Sequence, residues 1–407
     1  MRSKIIGSIM ILTGTAIGAG ILAQPLVAGG AGFWYAALVL VVLWALMTYT
    51  GLLVLEVTLA LEPYQNNFNS MAKHTLGRIG QVVTWFTVLL LLYSLVAAYM
   101  DGAGSILTTL TNDILGFHIP QWTNALLFSL IFGGAVYWST HSVDLANRTL
   151  LSLKGVLLIL ALMFLMPHID LANLNRAEGA HRYVWVMISI FLTAFGYHTC
   201  IPSLVNYLGK EVQTHRKIIL WGATIPLVIY GWWLFVSIGL VPQTGEYSFL
   251  SLGAHDHSVG YFINMIDHIT QNKWTIAFIN GFSNIALTTS FLGVSLGLFD
   301  FLADGFKRAN TRIHRTQTAL LTFIPPFLFA LIYPHGFVMA LGYAAIFVAI
   351  LEVILPPLMV WKLRQSTTLH SPYRAPGHPL LLALVLLLGI AIIVIELLNS
   401  LHLLPTF

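Results

Sequence analysis

Cysteine occurs once in the 407 residues, at Cys200, so an intramolecular disulfide and a cysteine-built metal cluster are both excluded. Charge is almost as scarce: Asp, Glu, Lys and Arg together make up 8% of the chain, about a third of their share in a soluble domain. A membrane enzyme would need a nucleophile with its base or a metal set such as HExxH, and that motif is absent. So is a nucleotide-binding loop, which sets ATP-driven transport aside, and no repeated polar or charged rings suggest a channel pore. His141, His168, His181, His215, His255 and His257 mostly fall between apolar stretches with no ligand spacing, and read as solvated.

What is present in quantity is apolar: 57% of residues are hydrophobic. Apolar stretches of about 20 residues, the length that crosses a bilayer, lie near 5–28, 33–60, 80–109, 122–138, 143–166, 183–208, 217–241, 273–302, 315–333, 336–362 and 379–401. Eleven spans so closely spaced predict an all-α polytopic membrane protein forming one domain over 1–407. Positive charge stays preferentially on the cytoplasmic side. With the N-terminus inside, only Arg176, Arg182 and Lys273 of the 19 basic residues fall outside, and the C-terminus is then outside as well. This asymmetry accounts for the pI near 9.1 and leaves no reason to invoke nucleic acid. The first apolar segment has the length of a retained span and lacks a small-residue cleavage site before a soluble domain.

Residues 11–25, ILTGTAIGAGILAQP, place Gly14, Gly18, Gly20 and Pro25 inside the first span. An unwound stretch survives in lipid only where it lines a cavity or a ligand. Five spans later the sixth contains Phe195-Gly196-Tyr197-His198-Thr199-Cys200-Ile201-Pro202, a glycine and a proline at mid-span. Two interrupted helices in corresponding places of two halves are the mark of inverted repeats in a transporter. Spans 1–5, about 5–166, and spans 6–10, about 183–362, form the halves, with 379–401 as an extra helix. The competing reading, that these glycines serve only close helix packing, is weakened by the matching position of the two breaks. Each break frees N–H groups on one half-helix and carbonyls on the other, which suits a carboxylate and a cation.

GTAIGAGIL at 14–22, FGYHTCIPSL at 195–204, TSFLGVSLGLFDFLAD at 289–304 and YPHGFVMALGYA at 333–344 resemble the hydroxy and aromatic amino acid permeases, and most nearly their tyrosine-transporting branch. The resemblance covers essentially the whole chain, including 44–57 and 143–154. It implies a leucine-transporter-like 5+5 inverted repeat with broken helices 1 and 6, in a bacterial inner membrane. It also implies L-tyrosine or another aromatic amino acid as the substrate, with no cofactor and no obligate protein partner. By the same resemblance, N–H groups around Ile17, Gly18, Ala19 and Gly20 receive the substrate carboxylate, and Gly14 and Thr15 belong to the same substrate site. Carbonyls near Phe195 and Gly196 receive its ammonium, and Tyr93 is a candidate hydroxyl donor, although Tyr99 lies on the same span.

An aromatic side chain then needs a largely apolar pocket, for which Tyr93, Phe195, Tyr197 and Phe291 are candidates. A reader of a phenol needs a polar partner for its hydroxyl, and His198, Asn280, Ser283 and Asn284 are available. For coupling, the resemblance offers two choices. Sodium-coupled relatives of the fold hold the cation on carbonyls matching Gly14, Ile17 and Ala286 and on hydroxyls matching Thr289 and Ser290. Several proton-coupled relatives place a lysine there instead, and Lys154 stands at that position. Two cations would not share the pocket, and a lysine out of water can gain and lose a proton near physiological pH. H+ is therefore the favoured coupling ion, with Na+ as the alternative. A competing reading starts the fifth span near Thr149, which puts Lys154 about 8 Å into it and lets it snorkel to the interface. Glu56 and Glu352 read as interhelical partners, with a proton relay as the minority reading, and Asp300 and Asp304 as partners of the basic run from Lys307 to Arg315.

Overall fold

The computed structural model describes residues 2–113, 116, 118–138, 140–175, 180–255, 258–308, 311–334 and 336–405, with the side chains of 2, 113, 140–142 and 144–148 excepted. Arg176 and His257 therefore lie outside the described residues, as do the side chains of His141 and Arg148.

Among the described residues the chain is helical throughout, without a strand. Where no water can satisfy backbone groups, a helix closes all of them within its own segment. The helices in order are α1 Arg2–Ala16, α2 Gly20–Ala28, α3 Phe33–Ala60, α4 Phe68–Asp113, α5 Gln121–Trp138, α6 Thr140–Leu165, α7 Val184–Ala194 and α8 Cys200–Leu208. They continue as α9 Val212–Leu240, α10 Phe249–Ala254, α11 Val259–Thr270, α12 Lys273–Gly305, α13 Arg312–Ile332, α14 Phe337–Val348, α15 Leu355–Gln365 and α16 Pro379–Ser400. A π turn, Ala349–Ile354, joins α14 to α15 within one span.

Eight of these segments are long and apolar enough to cross a membrane alone, and α1 with α2, bent by 49°, makes a ninth. The expected fourth span corresponds to α5, 18 residues long. The expected sixth is α7 and α8, of 11 and 9 residues, each too short to cross by itself. Two boundaries differ from expectation. The third span begins at Phe68 rather than near 80, as a short helix turned at Gly77, whose φ of +73° a side chain would strain. The first break covers only Ile17 to Ala19, because Pro25 sits inside α2, where the helix continues past it.

Long helices such as α3, α5 and α12 are apolar on all faces, so the split between core and lipid there is set by packing rather than by an amphipathic stripe. Helix α12 packs against α4 and α6, α3 and α1 against α9, and α14 against α4 and α7. The interior is aromatic-rich, with Trp233, Tyr197, Tyr230, Phe191 and Phe195 fully buried. Leu384, Leu387, Ile390 and Val394 of α16 are exposed and form a lipid-facing edge.

Candidate substrate and coupling site

The last carbonyls of a helix have no partner within it, and at both breaks the same side chain supplies one. The Tyr230 hydroxyl of α9 lies 2.6 Å from Ala16 O and 2.8 Å from Ala194 O, the final residues of α1 and α7. One turn on, Trp233 Nε1 donates to Ile21 O at 2.9 Å. The two breaks also touch directly: a Cβ on Gly20 would stand 3.5 Å from Ala194 Cα. Sequence reading missed both α9 residues. The available signal was a pair of hydrogen-bonding aromatics three apart in an apolar span, since a buried Tyr or Trp normally finds a partner.

Lys154 of α6 reaches the first break. Its Nζ donates to Ile17 O at 2.7 Å, and the residue is 5% exposed. It does not snorkel. The ammonium sits just beyond the C-terminal end of α1, where the helix dipole favours positive charge. Beside it, Ala19 N donates to Ser290 Oγ at 3.0 Å, and a Cβ on Gly18 would come within 3.1 Å of that oxygen. Glycine at 18 is thus what lets α12 approach. Thr289 turns its hydroxyl back to its own helix, 2.8 Å from Ile285 O and 3.2 Å from Ala286 O. Of the sodium-type ligand set, Ile17 O, Ala286 O, Thr289 and Ser290 are all engaged within the protein. A cavity of about 460 Å³ opens at this point, lined among others by Gly14, Thr15, Gly18, Tyr99, Lys154, Thr289 and Ser290.

Most of the N–H groups assigned to the substrate carboxylate are occupied in this conformation. Ile17 N bonds Thr13 O at 2.8 Å and Gly18 N bonds Ala16 O at 2.7 Å, in addition to Ala19 N on Ser290. A carboxylate binding Ala19 N must displace Ser290. Thr15 Oγ1 stands 3.3 Å from Cys200 Sγ, linking α1 to the start of α8.

In the second break, Phe195 N and Gly196 N turn back to Leu192 O and Thr193 O. Phe195 packs edge-on against Tyr230, ring centroids 5.3 Å apart. Tyr197 and His198 are fully buried and face α3 instead of the cavity. The Tyr197 hydroxyl donates to Met47 O at 3.1 Å, and His198 Nε2 lies 2.8 Å from Thr50 Oγ1. The other ring nitrogen, Nδ1, is 2.6 Å from Glu352 Oε2 in the π turn. With both nitrogens taken, His198 has none left to read a phenol in this conformation.

Several other candidates sit apart from the lysine. Tyr93 donates to Leu321 O at 2.8 Å, while Tyr99, six residues further along α4, lines the cavity. Phe291 packs on Phe128 and Phe323, centroids 5.0 and 6.0 Å away, and serves the scaffold core. Ser283 is buried, and Asn284 Nδ2 donates to Asn280 O at 2.9 Å. Glu56 is an interhelical partner: Arg364 Nε and Nη2 reach its two oxygens at 2.8 and 2.7 Å, and Ala375 N donates to it at 2.7 Å. His215 is not loosely solvated, since its Nε2 lies 2.6 Å from Gly209 O.

Two short helix pairs meeting end to end beside a cavity that holds Lys154 define a membrane protein of the leucine-transporter-like fold, broken in its first and sixth spans. The same overall fold is present in a manganese transporter of Eremococcus coleocola, at a TM-score of 0.59 over 97% of this chain and 86% of that one, with 14% identity. Residues 1–396 match the model of the tryptophan/tyrosine permease family, and the chain belongs to that family. It is 37% identical to tyrosine-specific transport system 1 of Haemophilus influenzae, covering 96% of each chain. It is 35% identical to the tryptophan-specific transport protein of Pseudomonas aeruginosa, over 100% of this chain and 97% of that one. The relatives are transport proteins, not enzymes, and the chain is a multi-pass membrane permease of aromatic amino acids.

Proposed function

We propose that the protein is a proton-coupled symporter that imports aromatic amino acids, tyrosine first, across a bacterial inner membrane, with its N-terminus cytoplasmic and its C-terminus periplasmic. The observation that carries the coupling is the Lys154 ammonium on Ile17 O at 2.7 Å. It occupies the place a sodium ion would need, on a carbonyl freed by the break. The substrate carboxylate would enter at Gly18 to Gly20, displacing Ser290 from Ala19 N, and its ammonium would meet the carbonyls of Phe195 and Gly196. Transport then proceeds by rocking the half-helices against the scaffold around this centre. One proton falling through about 150 mV supplies roughly 3.5 kcal/mol, enough for accumulation on the order of 300-fold.

The test is tyrosine uptake into proteoliposomes under an imposed pH gradient without sodium, compared with a sodium gradient at equal pH. Uptake driven by the pH gradient and lost in Lys154→Ala supports the reading. Sodium-driven uptake moves coupling to Thr289 and Ser290, and tryptophan uptake in place of tyrosine reassigns the substrate within the family.

A further inference from the structure

His198 and Glu352 belong to two different spans, and the coupling scheme above uses neither. The imidazole is fully buried and the carboxylate 3% exposed, with Nδ1 and Oε2 2.6 Å apart. Two lone pairs would repel at that separation, so at least one of the two groups carries a proton. On the other side of the ring, Nε2 is 2.8 Å from Thr50 Oγ1, which is itself 3.2 Å from Met47 O.

The Thr50 hydroxyl has two places to put its one hydrogen. Aimed at Met47 O, it leaves its oxygen to accept from Nε2–H, and with the proton shared between Nδ1 and Oε2 the pair is neutral overall. Aimed at Nε2, it faces a neutral ring that donates Nδ1–H to an ionised Glu352, and the pair carries one negative charge. In both arrangements Nε2 keeps Thr50 Oγ1 as its partner and Nδ1 keeps the Glu352 carboxylate beside it. They differ by one proton and the rotation of one hydroxyl. The Glu56–Arg364 pair has no such second state, because a guanidinium does not give up its proton.

The surroundings leave the proton as the pair's own counter-charge. Among the described residues no lysine or arginine lies within salt-bridge distance of Glu352. The titratable groups that face the pair are the Tyr197 phenol, whose ring stacks on the imidazole at 4.7 Å, and the Cys200 thiol, both within the field of Glu352. Thr15 of α1 contributes only a hydroxyl, to Cys200. A buried net charge without compensation is costly, so loading and unloading of the proton shifts the energy of whatever holds the pair together.

What the pair holds together is the second break and the tenth span. A Cβ on Gly196 would stand 3.8 Å from both Glu352 oxygens. The π turn that carries Glu352 precedes Pro356 and Pro357, which cannot donate to carbonyls one turn back, and Leu355 N bonds Ile350 O, five residues behind it. Such turns recur at functional positions in helices.

We propose that Thr50, His198 and Glu352 form a second proton-binding site, separate from Lys154, that loads and releases one proton and ties the break of the sixth span to the tenth. Its place in a transport cycle rests on the symport reading; the proton binding itself does not. The test uses full-length protein labelled with 15N-histidine in nanodiscs, without substrate, with the His198 resonance assigned as the one absent in His198→Gln. Between about pH 5 and pH 8 this resonance shows a single titration, which Lys154→Ala leaves in place. Glu352→Gln and Thr50→Val each abolish this titration or move its midpoint by at least about one pH unit, a tenfold change in proton affinity, while the other histidine signals report that the fold is kept. A His198 resonance fixed in one state across the range in the wild type overturns the proposal, as does a titration unaltered in both variants. A His198 titration in a protein that fails the tyrosine uptake test would leave the site standing and remove the symport.

Discussion

Ala16 and Ala194, the last helical residues before the two breaks, turn their carbonyls to the same Tyr230 hydroxyl at 2.6 and 2.8 Å. Each belongs to a different half of the molecule, so one oxygen on α9 fixes the spacing of both broken spans. Leaving a buried acceptor without a donor costs about 1–3 kcal/mol, and two acceptors share this one. Tyr230→Phe keeps the ring packed against Phe195 and removes only the hydroxyl. It is expected to lower thermal stability and to cut tyrosine uptake at least about tenfold, the equivalent of 1.4 kcal/mol. Equal uptake and melting for mutant and wild type would show that the shared bond carries no weight.

Lys154 separates charge from proton exchange. Arginine at 154 keeps the positive charge near Ile17 O and cannot release a proton. Lys154→Arg is therefore expected to retain exchange of external for internal tyrosine while losing accumulation driven by a pH gradient. Lys154→Ala loses gradient-driven uptake. Counterflow assays beside net-uptake assays, in the same vesicles, distinguish the two; accumulation by the arginine variant would remove the lysine from the coupling step.

The two breaks were legible because glycine and proline in a membrane span have few uses, and their placement five spans apart is a one-dimensional pattern. The lysine was legible because a charge in such a span is expensive. What the sequence could not rank was the choice between Tyr93 and Tyr99, since a helix apolar on every face carries no mark of which side meets the site. Tyr230 bonds residues 214 and 36 positions away, and His198 meets a carboxylate on another span, so both relationships exist only once the bundle has packed. Glu352 could be flagged as a buried acid; its partner could not.

Cys200 offers a direct view of the path to the site. It is the single cysteine of the chain, contacts Thr15 at 3.3 Å, and lines a cavity of about 400 Å³ between α1 and α8 together with Lys4, Ile11, Thr199 and Tyr207. A maleimide is expected to label it in the wild type without introducing any other thiol. Thr15→Ala, which removes its partner on α1, should speed labelling. Saturating tyrosine should slow it severalfold if the cavity closes over bound substrate. A rate indifferent to tyrosine at every concentration would place Cys200 outside the path.

Glu56 and Arg364 fasten α3 to α15 and to the connection that follows. The guanidinium binds both carboxylate oxygens and also donates to Ala375 O at 2.8 Å, while Ala375 N returns a bond to Glu56 at 2.7 Å. Glu56 is 2% exposed and Arg364 13%, so removing either partner strands a charge. Glu56→Gln and Arg364→Ala should each cost about 3–5 kcal/mol, seen as a large fall in melting temperature or failure to insert. Replacing both with apolar residues, Glu56→Leu with Arg364→Met, leaves no stranded charge and should recover most of that loss. The double variant still forfeits the bonds to Ala375, so its uptake should remain below wild type although its stability returns. Single variants as stable as the wild type would mean that water, not the partner, already satisfies these charges.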